Sequence, residues 1–461
     1  MGLHLELDPS LRPARALTQA LRRGITDGVL AAGTPLPSTR ALAAELGLAR
    51  GTVVEAYEQL VAEGYLVTRP RAGTRVAPGV AKAVATVAPP STPAPPRYDF
   101  RPISSDATAF PRTAWSAAIR AAIRDASDDD LRYGDPRGQP ALRTALASYL
   151  GRIRGVRAEP DRIVVCAGYA HGLALLSRVF RRAGRSRLAV EDPTYTHSLT
   201  IAEYAGLTPV PLPADGDGLR VELLEEATPP PDAVIVTPAH QLPLGATLAP
   251  SRRTALVHWA ADTGATIWED DYDGELRYDR QPIGALQGLA PERVAYLGTV
   301  SKSLAPVLRL GWLVLPPHLV DPVAEARSWD DRHPPTFDQL ALARLITSGG
   351  LDRHLRRMRP RYRRRRDRLI AALADRTPSV RVEGVAAGYH ALLRLPDGAD
   401  EAAVVAALAK AGVAAYGLST YSRLGGQPPG LLIGYGTPPQ HRYLEAVDVL
   451  TATLAKALRR S

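Results

Sequence analysis

Residues 78–97, Pro-Gly-Val-Ala-Lys-Ala-Val-Ala-Thr-Val-Ala-Pro-Pro-Ser-Thr-Pro-Ala-Pro-Pro-Arg, cannot be built into a packed core. Their prolines withhold backbone donors and fix φ, so the stretch favours an extended, semi-stiff spacer. The chain must therefore fold as separate units, a short one over 1–77 and a long one over 98–461. A length of 461 residues, with 45% hydrophobic and 23% charged side chains, supplies enough apolar material for two or three domains. A single cysteine, Cys166, excludes an internal disulfide and a cysteine metal cluster, and no metal is expected. No apolar run approaches the ~20 residues that span a bilayer. The first residues, Met-Gly-Leu-His-Leu-Glu-Leu-Asp, lack a secretory apolar core. A cytoplasmic protein with no membrane partner is expected.

From Tyr98 onward, apolar strand-like runs alternate with helical patterns. The runs are Arg162–Val165, Arg187–Val190, Ala233–Val236, Thr263–Trp268 and Val294–Leu297. That alternation predicts an α/β fold, a mostly parallel sheet covered by helices. No internal repeat is visible.

The short unit carries a different pattern. Ser38 or Thr39 caps a helix in which Leu42 and Leu46 recur at i and i+4, and Gly47 ends it. A second helix, Arg50–Leu60, follows after Leu48 and Ala49, with Val53, Tyr57, Leu60 and Val61 as its buried stripe. Two helices so spaced read as a helix-turn-helix, whose second helix enters the major groove by its N-terminal end. Arg50, Gly51 and Thr52 stand there: a base or phosphate donor, a clearance and a hydroxyl. Next, Tyr65–Thr68 and Gly73–Val76 flank Arg69-Pro-Arg-Ala-Gly73, a hairpin with Arg71 at its tip that forms a wing. The chain has a formal charge of +10 and a pI of about 9.8, but residues 1–77 hold nine arginines against seven acids, so the excess lies elsewhere. Leu36-Pro-Ser-Thr-Arg40, Thr52-Val-Val-Glu-Ala-Tyr-Glu-Gln-Leu60 and Glu63-Gly-Tyr65 closely resemble the winged helix of GntR-type bacterial regulators. The resemblance implies that Arg40, Arg50, Thr52 and Gly73 touch double-stranded operator DNA.

Of 57 Lys+Arg, only four are lysines: Lys82, Lys302, Lys410 and Lys456. An ε-amine can lose its proton and form an imine with an aldehyde, which a guanidinium cannot. Lys82 lies in the spacer, and Lys410 and Lys456 fall in late helices with solvated faces. Lys302 sits in Thr299-Val-Ser-Lys-Ser-Leu-Ala-Pro306, after the apolar run Val294–Leu297, and is the candidate amine. An aldehyde cofactor there needs an anion at its ring nitrogen, a donor to its ring hydroxyl, a phosphate cradle and a stacking ring. In Thr266-Ile-Trp-Glu-Asp-Asp-Tyr272 a period of two puts Trp268, Asp270 and Tyr272 on one face and Glu269 and Asp271 on the other. Thr299, Ser301 and Arg309 suit a phosphate clamp. Val165-Cys-Ala-Gly-Tyr-Ala-His-Gly172 reads as strand, turn and helix start, where backbone N–H groups favour an anion. Tyr195 follows a strand and a rigid turn, and Gln241 ends another strand.

In this order, the Tyr-Gly-Asp-Pro-x-Gly, His-Gln-x-Pro-x-Gly, Asp-Asp-Tyr-Asp and Ser-Lys-Ser-Leu-Ala-Pro strings resemble fold-type I pyridoxal-phosphate enzymes, the aspartate aminotransferase class. Joined to the winged helix, the whole chain is similar to the MocR subfamily of GntR regulators. The resemblance implies a cytoplasmic homodimer with a smaller C-terminal α+β subdomain and pyridoxal 5′-phosphate as cofactor. Lys302 would be the imine lysine, Asp270 the pyridine partner, Tyr272 and Gln241 the contacts of the ring hydroxyl, and Tyr195 the stacking ring. Gly168, Tyr169, Ala170, Thr299, Ser301 and Arg309 would hold the phosphate, with Tyr133 of Tyr-Gly-Asp-Pro-Arg-Gly138 arriving from the second subunit. Two departures stand out. Gly168-Tyr-Ala-His171 lacks the subfamily's Gln-Gln pair, and Leu432 occupies the late-strand place where aminotransferases carry the arginine that binds a substrate α-carboxylate.

Ten arginines crowd residues 353–368, and Pro360 is expected to break their helix. The expected function is a transcriptional regulator that senses pyridoxal phosphate, or a small amine or amino acid, through a Schiff base at Lys302 and controls vitamin B6 or amine and amino-acid metabolism genes. The rivals are an active aminotransferase carrying a DNA-binding domain, and a DNA-binding module whose large domain only dimerises.

Overall fold

The computed structural model describes residues 5–69, 73–79, 95–102, 105–278 and 283–459. It divides into two compact units, Met1–Ala94 and Pro95–Ser461. Residues 80–94, most of the spacer with Lys82, lie outside the described residues, as does Arg71.

In the first unit, helices α1 (Pro13–Thr26), α2 (Thr39–Leu46) and α3 (Arg50–Ala62) precede strands β1 (Leu66–Arg69) and β2 (Gly73–Val76). Ser38 is the cap of α2, its hydroxyl accepting from the Ala41 N–H at 3.2 Å. Gly47 closes that helix at φ 65°, a left-handed conformation that a side chain disfavours. Leu17, Leu21, Leu42, Val53, Tyr57, Leu60 and Leu66 form one core beneath the three helices. The predicted stripe of α3 needs one correction. Val61 is 38% exposed, and Ala56 faces inward instead, because positions 53, 56, 57 and 60 fall on one face while 61 is rotated away. β1 and β2 pair antiparallel from Leu66↔Val76 to Arg69↔Gly73, giving the wing.

The second unit opens with β3 (Tyr98–Asp99), α4 (Arg112–Asp125) and α5 (Pro140–Arg154). Strands and helices then alternate: β4 (Ile163–Cys166), α6 (Tyr169–Arg182), β5 (Arg187–Asp192), α7 (Thr196–Tyr204), β6 (Thr208–Asp215) and β7 (Gly218–Leu219). They continue through α8 (Leu223–Glu226), β8 (Ala233–Val236), α9 (Pro250–Thr263), β9 (Thr266–Asp271), β10 (Val294–Thr299) and β11 (Gly311–Val314). Helices α10 (Pro317–Asp331), α11 (Thr336–Thr347) and α12 (Gly350–Arg376) lead to a smaller part. That part holds β12 (Arg381–Glu383), β13 (His390–Arg394), α13 (Glu401–Lys410), β14 (Val413–Ala414), β15 (Tyr416–Gly417), β16 (Gly430–Gly434) and α14 (Tyr443–Leu458).

The eight-stranded sheet has the order β4-β11-β10-β9-β8-β5-β6-β7. Strands β10, β9, β8, β5 and β6 run parallel, while β11 is antiparallel to both its neighbours and β7 to β6. Every residue of β4, β8, β9 and β10 is buried, as expected of strands covered on both faces. Leu188, Trp268 and Leu297 pack under α6 and α10, and Ala189, Ile267 and Val294 under α9 on the other face. The carboxyl ends of β5, β8, β9 and β10 thus meet along one edge of the sheet, where open α/β folds bind ligands. In the smaller part the four-stranded sheet β12-β13-β16-β15 is antiparallel.

Pro360 does not break α12, which runs unbroken over 27 residues. A proline inside a helix loses one hydrogen bond and costs roughly 3 kcal/mol. Leu355, Met358, Tyr362, Leu369 and Leu373 are buried along one face of this helix, and that burial outweighs the loss. Among the described residues no helix is long and apolar enough to cross a membrane.

Candidate functional site

A cavity of about 520 Å³ opens where the parallel strands end. The last two residues of each strand and the turn after it deliver side chains there. From β5 come Glu191, Thr194 and Tyr195; from β9, Asp270 and Tyr272; from β10, Thr299, Ser301 and Lys302. Arg309 enters from the approach to β11, and Tyr169 and Ala170 from the first turn of α6. Lys410 and Lys456 lie exposed on their helices.

Lys302 Nζ stands 5.5 Å from the ring centroid of Tyr389. Burial lowers its pKa to about 8, against the opposing pull of the Asp273 and Asp270 carboxylates. A lysine so placed holds a substantial neutral fraction near physiological pH, which nucleophilic chemistry requires. The strand alternation predicted around Asp270 is present. Trp268 packs in the core with its ring 4.9 Å from Phe180, and Asp270 points into the cavity. On the opposite face, Glu269 accepts from the Leu286 and Gln287 N–H groups, and Asp271 pairs with Arg154 at 2.7 Å.

Asp270 Oδ1 is buried and has no hydrogen-bond partner. Burial first, then the nearby Asp271, Asp273 and Glu191 carboxylates, push its carboxyl well above the usual range. Such an oxygen lacks a positively charged N–H donor, and a protonated pyridine nitrogen is one. At the other end of the cavity, Thr299 Oγ1 lies 2.9 Å from Ser301 Oγ and accepts from the Ser301 N–H at 3.2 Å. Gly168 sits at φ 83° before α6, and a Cβ there would stand 3.4 Å from the Arg309 guanidinium. Arg309 Nη2 donates to the Ala167 carbonyl at 2.5 Å, which aims the guanidinium at the helix start. Two hydroxyls, a guanidinium and a helix N-terminus suit a dianionic phosphate. The residues present therefore fit pyridoxal 5′-phosphate.

Other predicted residues are placed differently. Gln241 is fully buried and does not line the cavity. Its Nε2 donates to the Pro193 carbonyl at 2.7 Å and its Oε1 accepts from the Leu244 N–H at 2.9 Å, so it braces the turn, and Leu242 faces the cavity in its place. Tyr272 does line the cavity, with its hydroxyl donating to the His240 carbonyl at 2.8 Å. Tyr195 is 42% exposed at the mouth. Tyr133 is 80% exposed and lies against His333 and Arg332, away from the cavity. Leu432 is buried in β16 between Leu392 and Tyr416 of the adjoining strands, outside the cavity. Among the described lining residues Arg309 is the one guanidinium.

The structure also brings up residues that sequence reasoning missed. Tyr389, Tyr416, Thr420 and Tyr421 come from the smaller part and close the cavity's far wall. Behind it, His240 Nδ1 lies 2.8 Å from Asp273 Oδ2, and the His240 and His390 rings stack at 4.5 Å. Both ring nitrogens of His390 are buried without a hydrogen-bond partner. The fourth residue of Asp-Asp-Tyr-Asp273 was the signal for this pair.

In the first unit, Arg40, Arg50 and Gly51 are exposed and Thr52 is half-buried at the start of α3, whose cap residue, Ala49, has no side-chain oxygen. Gly73 opens β2 at φ 75°. Arg40 stands in the first turn of α2, Arg50, Gly51 and Thr52 at the start of α3 and Gly73 at the base of the wing.

Residues 13–76 match the family described as bacterial regulatory proteins, gntR family, and residues 105–426 match aminotransferase class I and II. The HTH-type pyridoxine biosynthesis transcriptional regulator PdxR of Corynebacterium glutamicum is 35% identical over 439 residues, covering 93% of each chain. The probable rhizopine catabolism regulatory protein MocR of Rhizobium meliloti is 35% identical over 80% of this chain and 78% of its own. Among solved structures, Pyrococcus horikoshii kynurenine aminotransferase in complex with PMP superposes with a TM-score of 0.71 at 27% identity, over 78% of this chain and 91% of its own. Since the regulators match across both units rather than one alone, the chain belongs to the MocR subfamily of GntR-type transcriptional regulators.

Proposed function

We propose that this regulator grips double-stranded operator DNA with a strength set by pyridoxal 5′-phosphate, or by a small amine competing with Lys302 for it. The carrying observation is Lys302, an amine held at about 8, in one cavity with the unpartnered Asp270 carboxylate oxygen. The cofactor supplies an aldehyde able to condense with an amine. The chain's residues supply the rest: Lys302 the amine, Asp270 the anion, and Tyr195 a ring at the mouth. Thr299, Ser301, Arg309 and the Gly168–Ala170 backbone provide the anion cradle, and Tyr272 holds the adjoining wall. Gln241 acts by bracing the turn that carries Leu242.

Arg309 belongs to that cradle, which leaves no second guanidinium among the described lining residues to fork a substrate α-carboxylate. This favours sensing over amino-acid turnover. The named functions of the two regulators support control of vitamin B6 or amine metabolism genes. The working unit is a cytoplasmic homodimer in which Tyr133 serves the second subunit's site. Its parts are a DNA-binding domain over 1–77, a linker over 78–97 and an effector and dimerisation domain over 98–461. Arg40, Arg50, Gly51, Thr52, Arg71 and Gly73 face the duplex.

The test is fluorescence anisotropy of the full chain on its own upstream DNA, with and without pyridoxal phosphate, beside Lys302→Ala. Linked sites typically couple by about 1–3 kcal/mol, a fivefold to roughly hundredfold shift in affinity for the wild type and none for the variant. Equal affinities with and without cofactor would refute regulation through Lys302. Rapid conversion of the bound cofactor by amino donors would establish the aminotransferase instead.

A further inference from the structure

The arginines of α12 take no part in the cofactor site. Four of the ten form hydrogen bonds within the chain. Arg359 donates to the Glu275 carbonyl and Arg353 to the Ser348 carbonyl, while Arg361 and Arg365 share the buried Asp106 carboxylate. Arg356, Arg357, Arg364 and Arg368 are exposed, and no hydrogen bond or ion pair to another described residue is formed by any of them. Arg353, Arg357, Arg364 and Arg368 are spaced by four, seven and four, so they share one helical face over roughly 22 Å. At the end of this row Arg361, Arg364, Arg365 and Arg368 join Gln440 and Tyr443 around a cleft of about 220 Å³. The nearby acids do little to neutralise it: Asp352 pairs with Arg152, and Asp367 meets Arg363 only at 4.0 Å.

A row of unneutralised guanidiniums repels itself, and a partner carrying regularly spaced anions relieves that repulsion. Guanidiniums also fork phosphate oxygens in a way that ammonium groups cannot. The cleft alone would hold one phosphate. The row needs a polymer, and one DNA strand presents a phosphate about every 3.4 Å of axis, roughly six along this length. We infer that the exposed face of α12 is a second DNA-contacting surface, which tracks the phosphodiester backbone of the duplex read by the winged helix without reading its bases. The inference rests on this chain being a DNA-binding regulator.

The experiment uses the full chain and duplexes of about 60 and about 20 base pairs centred on one stretch of its upstream DNA, with affinity measured against salt. Each phosphate contact contributes about 0.9 to the slope of log K against log salt, so the wild type should be steeper by about 2–3 on the long duplex. The triple variant Arg357→Gln, Arg364→Gln, Arg368→Gln should lose that difference and keep its slope on the short duplex, which shows the winged helix still at work. Replacing the same three by lysine should restore most of the slope. A control triple elsewhere on this unit, Arg112→Gln, Arg120→Gln, Arg381→Gln, should leave it unchanged. An unaltered long-duplex slope in the α12 variant, or equal flattening by the control, overturns the inference.

Discussion

Lys302 and the acids near it set the chemistry through burial and charge. Capture of an aldehyde needs the neutral amine, whose share reaches one half near its pKa of about 8. Uptake of pyridoxal phosphate by cofactor-free protein, followed by visible absorbance, should accelerate with pH up to about 8 and level off above it. The sign for stability is the same. The unfolded chain keeps the proton up to the ordinary 10.5 while the folded one releases it near 8, so the cofactor-free protein gains stability as pH climbs between those values. Asp273 stabilises the Lys302 ammonium. Asp273→Asn should therefore move the midpoint of uptake below about 8, and an upward move would refute the assignment. Asp270→Asn replaces a desolvated carboxylate by an amide. A charge-assisted hydrogen bond is worth about 1.5–3 kcal/mol, so cofactor affinity should fall roughly 10- to 100-fold in an absorbance titration. Melting of the cofactor-free variant should not fall with it, since the cost of burying a carboxyl beside three others goes with the substitution.

At the scale of elements, two glycines show how local conformation and packing differ. Gly47 is left-handed, and a Cβ there would meet nothing within 4 Å. Gly47→Ala should cost only the backbone penalty of about 1 kcal/mol, seen as earlier melting of the winged helix and weaker DNA binding. Gly311 has no unusual φ, yet its Cβ would lie 2.7 Å from Gly168 Cα and 2.9 Å from the Gly298 carbonyl oxygen. Backbone on both sides cannot yield, so Gly311→Ala should cost about 1–3 kcal/mol in urea unfolding and loosen the Gly168–Arg309 end of the cavity. The five sheet strands foreseen from apolar runs all lie in the central sheet, because a strand covered on both faces writes its burial directly into composition. The antiparallel β11 went unseen. Its four residues, Gly-Trp-Leu-Val, are too short to declare a direction, which pairing with β4 and β10 supplies.

For the whole molecule, the proposed dimer predicts a light-scattering mass of twice 49.4 kDa. If Tyr133 serves the second subunit, Tyr133→Phe should weaken cofactor binding although its ring lies outside its own chain's cavity. Mixing Tyr133→Phe with Lys302→Ala chains should then produce dimers with one fully furnished site. The sequence by itself determined the two-unit plan, the winged helix, and the lysine and aspartate that share the cavity, because each is encoded within a few neighbouring residues by turn chemistry, periodicity or a rare side chain. Only the tertiary structure decided which side chains share the cavity. Tyr389, Tyr416 and Tyr421 reach Lys302 from strands and turns some 90 to 120 positions away, Gln241 turns inward to the backbone, and Pro360 stays helical. Those outcomes depend on packing between segments distant in the chain, where burial outweighs the local preferences that a sequence displays.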